Sequence, residues 1–264
     1  MGSKTDSYKN VRRALIRYGR RGEFCIETSD TSLQLAEKIR LLRRKINTEH
    51  MESGVNIIDP DHTYIDESVR IVTGALIYPG AILEGRTIIG ANCVIGANTR
   101  IVGSTLGESV EVWYSVVMDS VIGNFTTIGP FAYIRPGNEI GSHVRIGDFV
   151  EIKNSNIGDR TSISHLTYIG DSDVGSRVNF GCGAVTVNYD GTTKYRTVVG
   201  DNAFIGCNTN LIAPVKVGDG AYTAAGSTIT LDVPGQDLAV ARARQTNISG
   251  YAKRYLKSKG EDNK

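Results

Sequence analysis

Four histidines are the side chains best suited to move a proton near neutral pH, and one of them, His165, stands in the polar-rich run Ser164-His165-Leu166-Thr167-Tyr168-Ile169-Gly170-Asp171. The others, His50, His62 and His143, form no convincing ligand set with it, whereas a hexapeptide-type zinc site needs three converging histidines. A second chemistry is offered by Arg135 and Lys153: a fork donor and a point cation, the pair of groups that suits a phosphate. Further polar residues cluster in Arg177-Val178-Asn179-Phe180-Gly181 and in Thr186-Val187-Asn188-Tyr189-Asp190-Gly191, the latter reading as a projecting turn. Cys25, Cys93, Cys182 and Cys207 fall at spacings of 68, 89 and 25, which match neither a small disulfide scaffold nor a CxxC metal clip. They read as reduced thiols of a cytoplasmic protein, none of them expected to be the nucleophile of a group-transfer reaction.

The elements that position these groups follow from composition and period. The 264 residues carry 30 Lys+Arg against 28 Asp+Glu, so the net charge of +2 implies no strongly charged partner. Glycine, at 30 residues, is abundant, while 6 prolines are too few for a collagen-like or proline-rich chain. The longest uncharged apolar stretch, Ile71 to Leu83, is broken by Gly74, Pro79 and Gly80 and is too short to span a bilayer. No export signal is expected at the N-terminus, and neither membrane nor nucleic acid is an expected partner.

Aliphatic residues recur every six positions at Ile65, Ile71, Ile77, Leu83, Ile89, Ile95 and Ile101. After an irregular stretch the series resumes as Val110, Val116, Ile122, Ile128, Ile134, Ile140, Ile146 and Ile152. A slip of five leads to Ile157, Ile163 and Ile169, then to Val174, Phe180, Val199, Ile205, Leu211, Val217 and Ile229. Helices space apolar residues three or four apart and half-buried strands two apart, so a unit of six is a short strand plus a corner. Three such units close a triangular coil, and coils stacked about 4.8 Å apart align the aliphatic side chains in internal ladders. The fold expected is an all-β solenoid, a parallel β-helix. In it Arg135 and Lys153, three units and hence one full coil apart, lie on one face.

The flanks differ. Asp30 to Met51 reads as a helix, with Leu35, Ile39, Leu42 and Ile46 on one face and a T-x-x-Q capping box at Thr31 and Gln34. The organisation expected is a basic arm over 1–29, a linker helix and entry over 30–60, the β-helix over 61–233, and a polar C-terminal segment over 234–264. The largest break in the repeat, between Phe180 and Val199, is where a binding surface can be built.

The aliphatic-Gly-x-x-x-x units resemble the hexapeptide-repeat acyltransferases, and it is this resemblance, not the period, that implies a left-handed helix. More specific are Gly129-Pro130-Phe131-Ala132-Tyr133-Ile134-Arg135-Pro136-Gly137, Gly147-Asp148-Phe149-Val150-Glu151-Ile152-Lys153, the His165 to Asp171 run, and Asn188-Tyr189-Asp190-Gly191. These resemble the C-terminal acetyltransferase half of the bacterial bifunctional N-acetylglucosamine-1-phosphate uridyltransferase and glucosamine-1-phosphate N-acetyltransferase family. The likeness covers roughly Thr31 to Tyr251, including the linker residues Leu42 to Asn47, Met51 and Ile58-Asp59-Pro60.

The resemblance implies His165 as general base, Arg135 and Lys153 on the sugar phosphate, and Tyr168 and Asn179 on the sugar. It implies Asn188 and Tyr189 in the loop that meets acetyl-coenzyme A, and Cys182, Cys207, Ala225 and Arg242 along the cofactor groove. Cys182 and Cys207 depart from that family, which commonly has alanine and serine there, so hydrogen bonding at these positions is weakened. The activity implied is transfer of an acetyl group from acetyl-coenzyme A to the 2-amino group of glucosamine 1-phosphate, by a homotrimer, with no metal required. Nothing in the sequence matches that family's glycine-rich nucleotide loop, so no uridyl transfer is expected of this chain. The alternatives are another hexapeptide acyltransferase or a non-catalytic β-helix that mediates assembly.

Overall fold

A computed structural model of the chain describes residues 30–253; the expected basic arm lies outside the described residues. Helix α1 runs Ser32–Glu52. Thr31 caps it reciprocally: its hydroxyl accepts from the Gln34 N–H while the Gln34 side chain accepts from the Thr31 N–H. Only Leu42 and Ile46 of the expected apolar face are buried, because only the C-terminal half of α1 packs on the first coil. There the buried Asn47 amide donates to the carbonyls of Pro60 at 2.8 Å and Thr63 at 3.0 Å, fastening helix to solenoid.

From Asn56 to Ala239 the chain winds as a left-handed parallel β-helix, so its strands reach a little beyond 61–233 at both ends. Sheet A has 11 strands, from Asn56–Ile57 to Leu238–Ala239; sheet B has 10, from Tyr64–Ile65 to Thr228–Ile229; sheet C has 9, from Arg70–Ile71 to Val215–Val217. Every named strand pairs with its equivalent one coil away, always in parallel. Like therefore stacks on like: Ile128, Ile146 and Ile163 in sheet A, Ile134, Ile152 and Ile169 in sheet B, Ile122, Ile140 and Ile157 in sheet C. These side chains are buried and form one continuous core.

One part of the ladder departs from the expected spacing. Between Ile101 and Ile122 the inward residues are Leu106, Val112 and Val117, rather than Val110 and Val116. Val110 is nevertheless completely buried, because each side of the coil buries a second residue two places before the ladder position. Elsewhere Ala75, Thr99, Ser120 and Ser172 fill that place. The serine hydroxyls are satisfied locally, Ser120 donating to the Met118 carbonyl at 2.8 Å and Ser172 to that of Gly170 at 2.9 Å, while Thr99 donates to the Val112 carbonyl at 3.3 Å. Val116 faces outward.

The corner leading from sheet A to sheet B turns through left-handed residues: Phe131, Phe149 and Leu166 at φ 59°, 56° and 46°, and Gly183 at φ 76°. At Gly183 a side chain would also run into the Asn208 amide oxygen of the next coil. Among the described residues no helix is long and apolar enough to cross a membrane.

Because Ile152 is fully buried mid-stack between Ile134 and Ile169, Ile152→Ala should destabilise the solenoid by about 2–5 kcal/mol in chemical denaturation, whereas Val121→Ala on the exposed surface should change it by less than about 0.5 kcal/mol.

Candidate active site

Two residues past each sheet A ladder position the chain rounds the A–B corner. Strand register stacks Asp148 against His165 there, one coil apart. The same corner position holds Cys182, Cys207 and Ala225 on the following coils, fixed by N–H bonds from Asn208 to the Cys182 carbonyl and from Gly226 to the Cys207 carbonyl, both 2.8 Å. His165 Nδ1 lies 2.7 Å from Asp148 Oδ1. An ionised carboxylate can only accept, so Nδ1 carries the proton and Nε2 of the neutral ring is left as a base. The bond from His165 holds the Asp148 carboxyl below its usual range. With 59% of its side chain exposed, His165 is open to an incoming substrate. Arg242 lies against Gly226 at the far end of this corner.

Sheet B presents a different chemistry. Tyr133, Glu151 and Tyr168 occupy one outward column, and Arg135, Lys153 and Gly170 the next. Arg135 Nη1 donates to Glu151 Oε1 at 2.8 Å and its guanidinium sits 6.0 Å from the Tyr133 ring centroid. Lys153 Nζ is 3.8 Å from Asp171 Oδ2. Lys194 stands beside Lys153 and pulls its pKa below the ordinary lysine value; burial adds to this, Asp171 opposes it, and Lys194 and Arg135 both repel it. Three cations held this close together favour an anion among them.

Asp171 organises the third part. Its side chain is nearly buried and accepts from Asn154 Nδ2 at 2.5 Å and from Asn188 Nδ2. Burial by itself would raise its pKa, but these amides, with Lys153 and Lys194, bring the carboxyl below its usual range. Gly170 permits the arrangement, since a side chain there would collide with the Tyr168 hydroxyl and the Asn188 amide. Beyond Asn188 the chain leaves the solenoid: Tyr189 and Lys194 form an antiparallel bridge. Asp190 closes the turn by accepting from the N–H of Thr193 and Thr192, which lowers its pKa to about 2, so it stays ionised throughout the range in which a histidine titrates. Arg196 pins the loop base, donating to Asp173 at 2.6 and 2.8 Å and to the carbonyls of Asn154 and Ser172.

Of the residues singled out from sequence, Arg135, Lys153 and Tyr168 share sheet B and His165 begins the corner beside it. Cys182, Cys207, Ala225 and Arg242 follow His165 along that corner, and Asn188 and Tyr189 start the projecting loop. Asn179 is elsewhere, on sheet A between Ser162 and Phe204. The geometry adds two residues to the candidate site that the sequence reading did not single out. Asp148 could have been found, since the step from it to His165 is the one that takes Ile146 to Ile163. Lys194 could not, because it lies in the loop, where no period assigns a position. Among the described residues no group of three or more His, Cys, Asp or Glu is placed to hold a metal ion.

Fold and repeat together define a hexapeptide-repeat β-helix protein. Residues 119–154 and 196–230 match the family model of bacterial transferase hexapeptides, described as six repeats, and residues 86–112 match the hexapeptide repeat of succinyl-transferase. The chain is 58% identical over 222 residues to the bifunctional protein GlmU of Clostridium beijerinckii, covering 84% of this chain and 49% of that protein. It is 58% identical over 214 residues to GlmU of Acetivibrio thermocellus, covering 81% and 46%. It thus spans about half the length of the curated relatives it matches. Among solved structures, UDP-N-acetylglucosamine acyltransferase from Campylobacter jejuni superposes with a TM-score of 0.53 at 22% identity, covering 78% of this chain and 81% of that one, a likeness of fold.

Asp171→Ala removes the acceptor shared by Asn154 and Asn188. Amide hydrogen exchange in residues 188–196 should accelerate by about tenfold or more, while exchange in the sheet A strands before Phe180 stays unchanged.

Proposed function

We propose that this chain is a glucosamine-1-phosphate N-acetyltransferase, moving the acetyl group of acetyl-coenzyme A to the 2-amino group of the sugar in the cytoplasm and so serving the formation of UDP-N-acetylglucosamine. The observation that carries this reading is the His165–Asp148 pair with its open Nε2, at the junction of a corner lined by small side chains and a sheet face bearing Arg135 and Lys153, beside which the loop sets Lys194. The high identity to GlmU proteins of several species over most of the chain supports it.

Asp148 holds the ring so that Nε2 takes a proton from the sugar's 2-amino nitrogen as that nitrogen bonds to the acetyl carbon. The free amine attacks the thioester carbonyl, the C–N bond forms, the C–S bond breaks, and the imidazolium returns the proton so that coenzyme A leaves as the thiol. Arg135 and Lys153, with Lys194, hold the sugar 1-phosphate, and Tyr168 lies between that cluster and the base. The corner from His165 through Cys182 and Cys207 to Ala225 spans three coil steps, on the order of 14 Å, a slot for the extended acyl-carrying arm, with Arg242 at its end for the cofactor phosphates. Tyr189, on the projecting loop, is available to cover that arm.

The reading also calls for more than one copy. Asn179 on sheet A and the cations on sheet B belong to different faces, so a site using both is completed by a neighbouring chain. An exposed column of Tyr114, Phe131, Phe149 and Leu166 on the A–B corner, with Phe131 and Phe149 stacked at 5.7 Å, offers an apolar contact for it. A homotrimer is the assembly proposed, and the mass in solution tests it: a monomer carrying full activity would contradict it.

His165→Ala should lower kcat for thiol release from acetyl-coenzyme A by about 10²–10⁴-fold with the fold intact. Asp148→Asn should lose a smaller factor, about 10–100-fold, mostly in kcat. Lys153→Ala and Arg135→Ala should raise KM for glucosamine 1-phosphate by about tenfold or more each, with KM for acetyl-coenzyme A little changed. Unchanged turnover in His165→Ala removes the assignment.

A further inference from the structure

Cysteines at Cys93, Cys182 and Cys207 are all free thiols among the described residues, but their settings differ. Cys93 is completely buried beneath sheet A and its Sγ lies 3.0 Å from the Gly107 carbonyl oxygen. Cys182 is half-buried and Cys207 exposed, and they occupy the same corner position on adjacent coils. The Asn208 N–H to Cys182 carbonyl bond of 2.8 Å sets their backbones side by side. Cys207 Cα also lies 2.8 Å from where a Cβ on Gly181 would stand, so the two rungs are in direct contact. One parallel-strand step is about 4.8 Å, inside the roughly 4.4–6.8 Å of Cα separation that a disulfide bridges. The segment between the two cysteines contains the whole projecting loop.

We propose that Cys182 and Cys207 are a redox-responsive thiol pair that a low-molecular-weight disulfide converts into an intrachain disulfide across two coils. The thiolate of the more exposed Cys207 attacks the small disulfide, forming a mixed disulfide and releasing one small thiolate. The Cys182 thiolate then attacks the Cys207 sulfur and releases the second. Two protein thiols are oxidised, one small disulfide is reduced to two thiols, and the two protons lost by the protein pass to solvent or to the released thiolates. The chemistry is independent of acetyl transfer. If the cofactor slot is as proposed, the crosslink narrows it between His165 and Ala225 and ties down the base of the loop.

The test treats the full chain with glutathione disulfide, alkylates remaining thiols with iodoacetamide and digests with trypsin. Cys182 and Cys207 fall in separate tryptic peptides, Val178–Lys194 and Thr197–Lys216, so their linkage is read directly by mass. The expected result is these two peptides joined, both lost from the alkylated pool and both restored by dithiothreitol. Cys182→Ser should instead stop at a glutathione adduct on Cys207. Full alkylation of both thiols after oxidation, glutathione adducts on both without crosslinking, or linkage of either to the Cys25 peptide would each overturn the proposal. The readout needs no turnover, so its failure is separable from failure of the acetyltransferase reading.

Discussion

In-register parallel stacking of coils is the constraint on which everything else depends. A β-helix has no other long-range order: each strand meets its equivalent one coil away, and a residue's neighbours are set by the number of residues per turn. Ile146, Ile163 and Phe180 stack because equal steps along the chain separate each from the next, and the same step places Asp148 under His165. Slipping one coil by a residue would turn its ladder side chain outward and break that pair together. Core packing and chemistry are thus two readings of one register, and the cost of exposing aliphatic side chains holds the polar groups in place.

The site is assembled where this regularity is used and then interrupted. The A–B corner repeats a single position from coil to coil, which yields a line of small side chains leading away from the imidazole. Sheet B repeats another, which yields adjacent cations that repel one another. The loop from Asn188 to Arg196 breaks the repeat and brings Lys194 to those cations, so the coil from Phe180 to Ile205 is longer than the coils on either side of it. Asp171 makes the break tolerable: it receives amides from the coil below and from the loop, and it offsets part of the positive charge.

Much of this was legible in the sequence, for a physical reason. A side chain that repeats every coil must satisfy the same packing each time, so the ladder shows in Ile134, Ile140, Ile146 and Ile152, and one-coil spacing was enough to put Arg135 and Lys153 together. The misreading at Val110 and Val116 arose because the coil buries two positions per side. A valine at the second position looks like a ladder residue when most of the sides between Ile101 and Ile122 are one position shorter than the repeat. Helix α1 was legible through Thr31 and Gln34, but not how little of its apolar face the first coil covers. Lys194 was illegible because loop residues carry no period, and Asn179 was placed with the sugar contacts by resemblance although its strand lies on sheet A.

The central claim is that the imidazole pair and the cation face serve one reaction on an amino sugar phosphate. It is tested most directly by following free thiol from acetyl-coenzyme A with the unaltered chain, offered in turn glucosamine 1-phosphate, glucosamine, and N-acetylglucosamine 1-phosphate. The account predicts thiol release, matched mole for mole by N-acetylated product, with the first, far slower release with the second, which lacks the anion, and none with the third, whose amine is already acylated. Equal rates with all three, or none with glucosamine 1-phosphate, would contradict it.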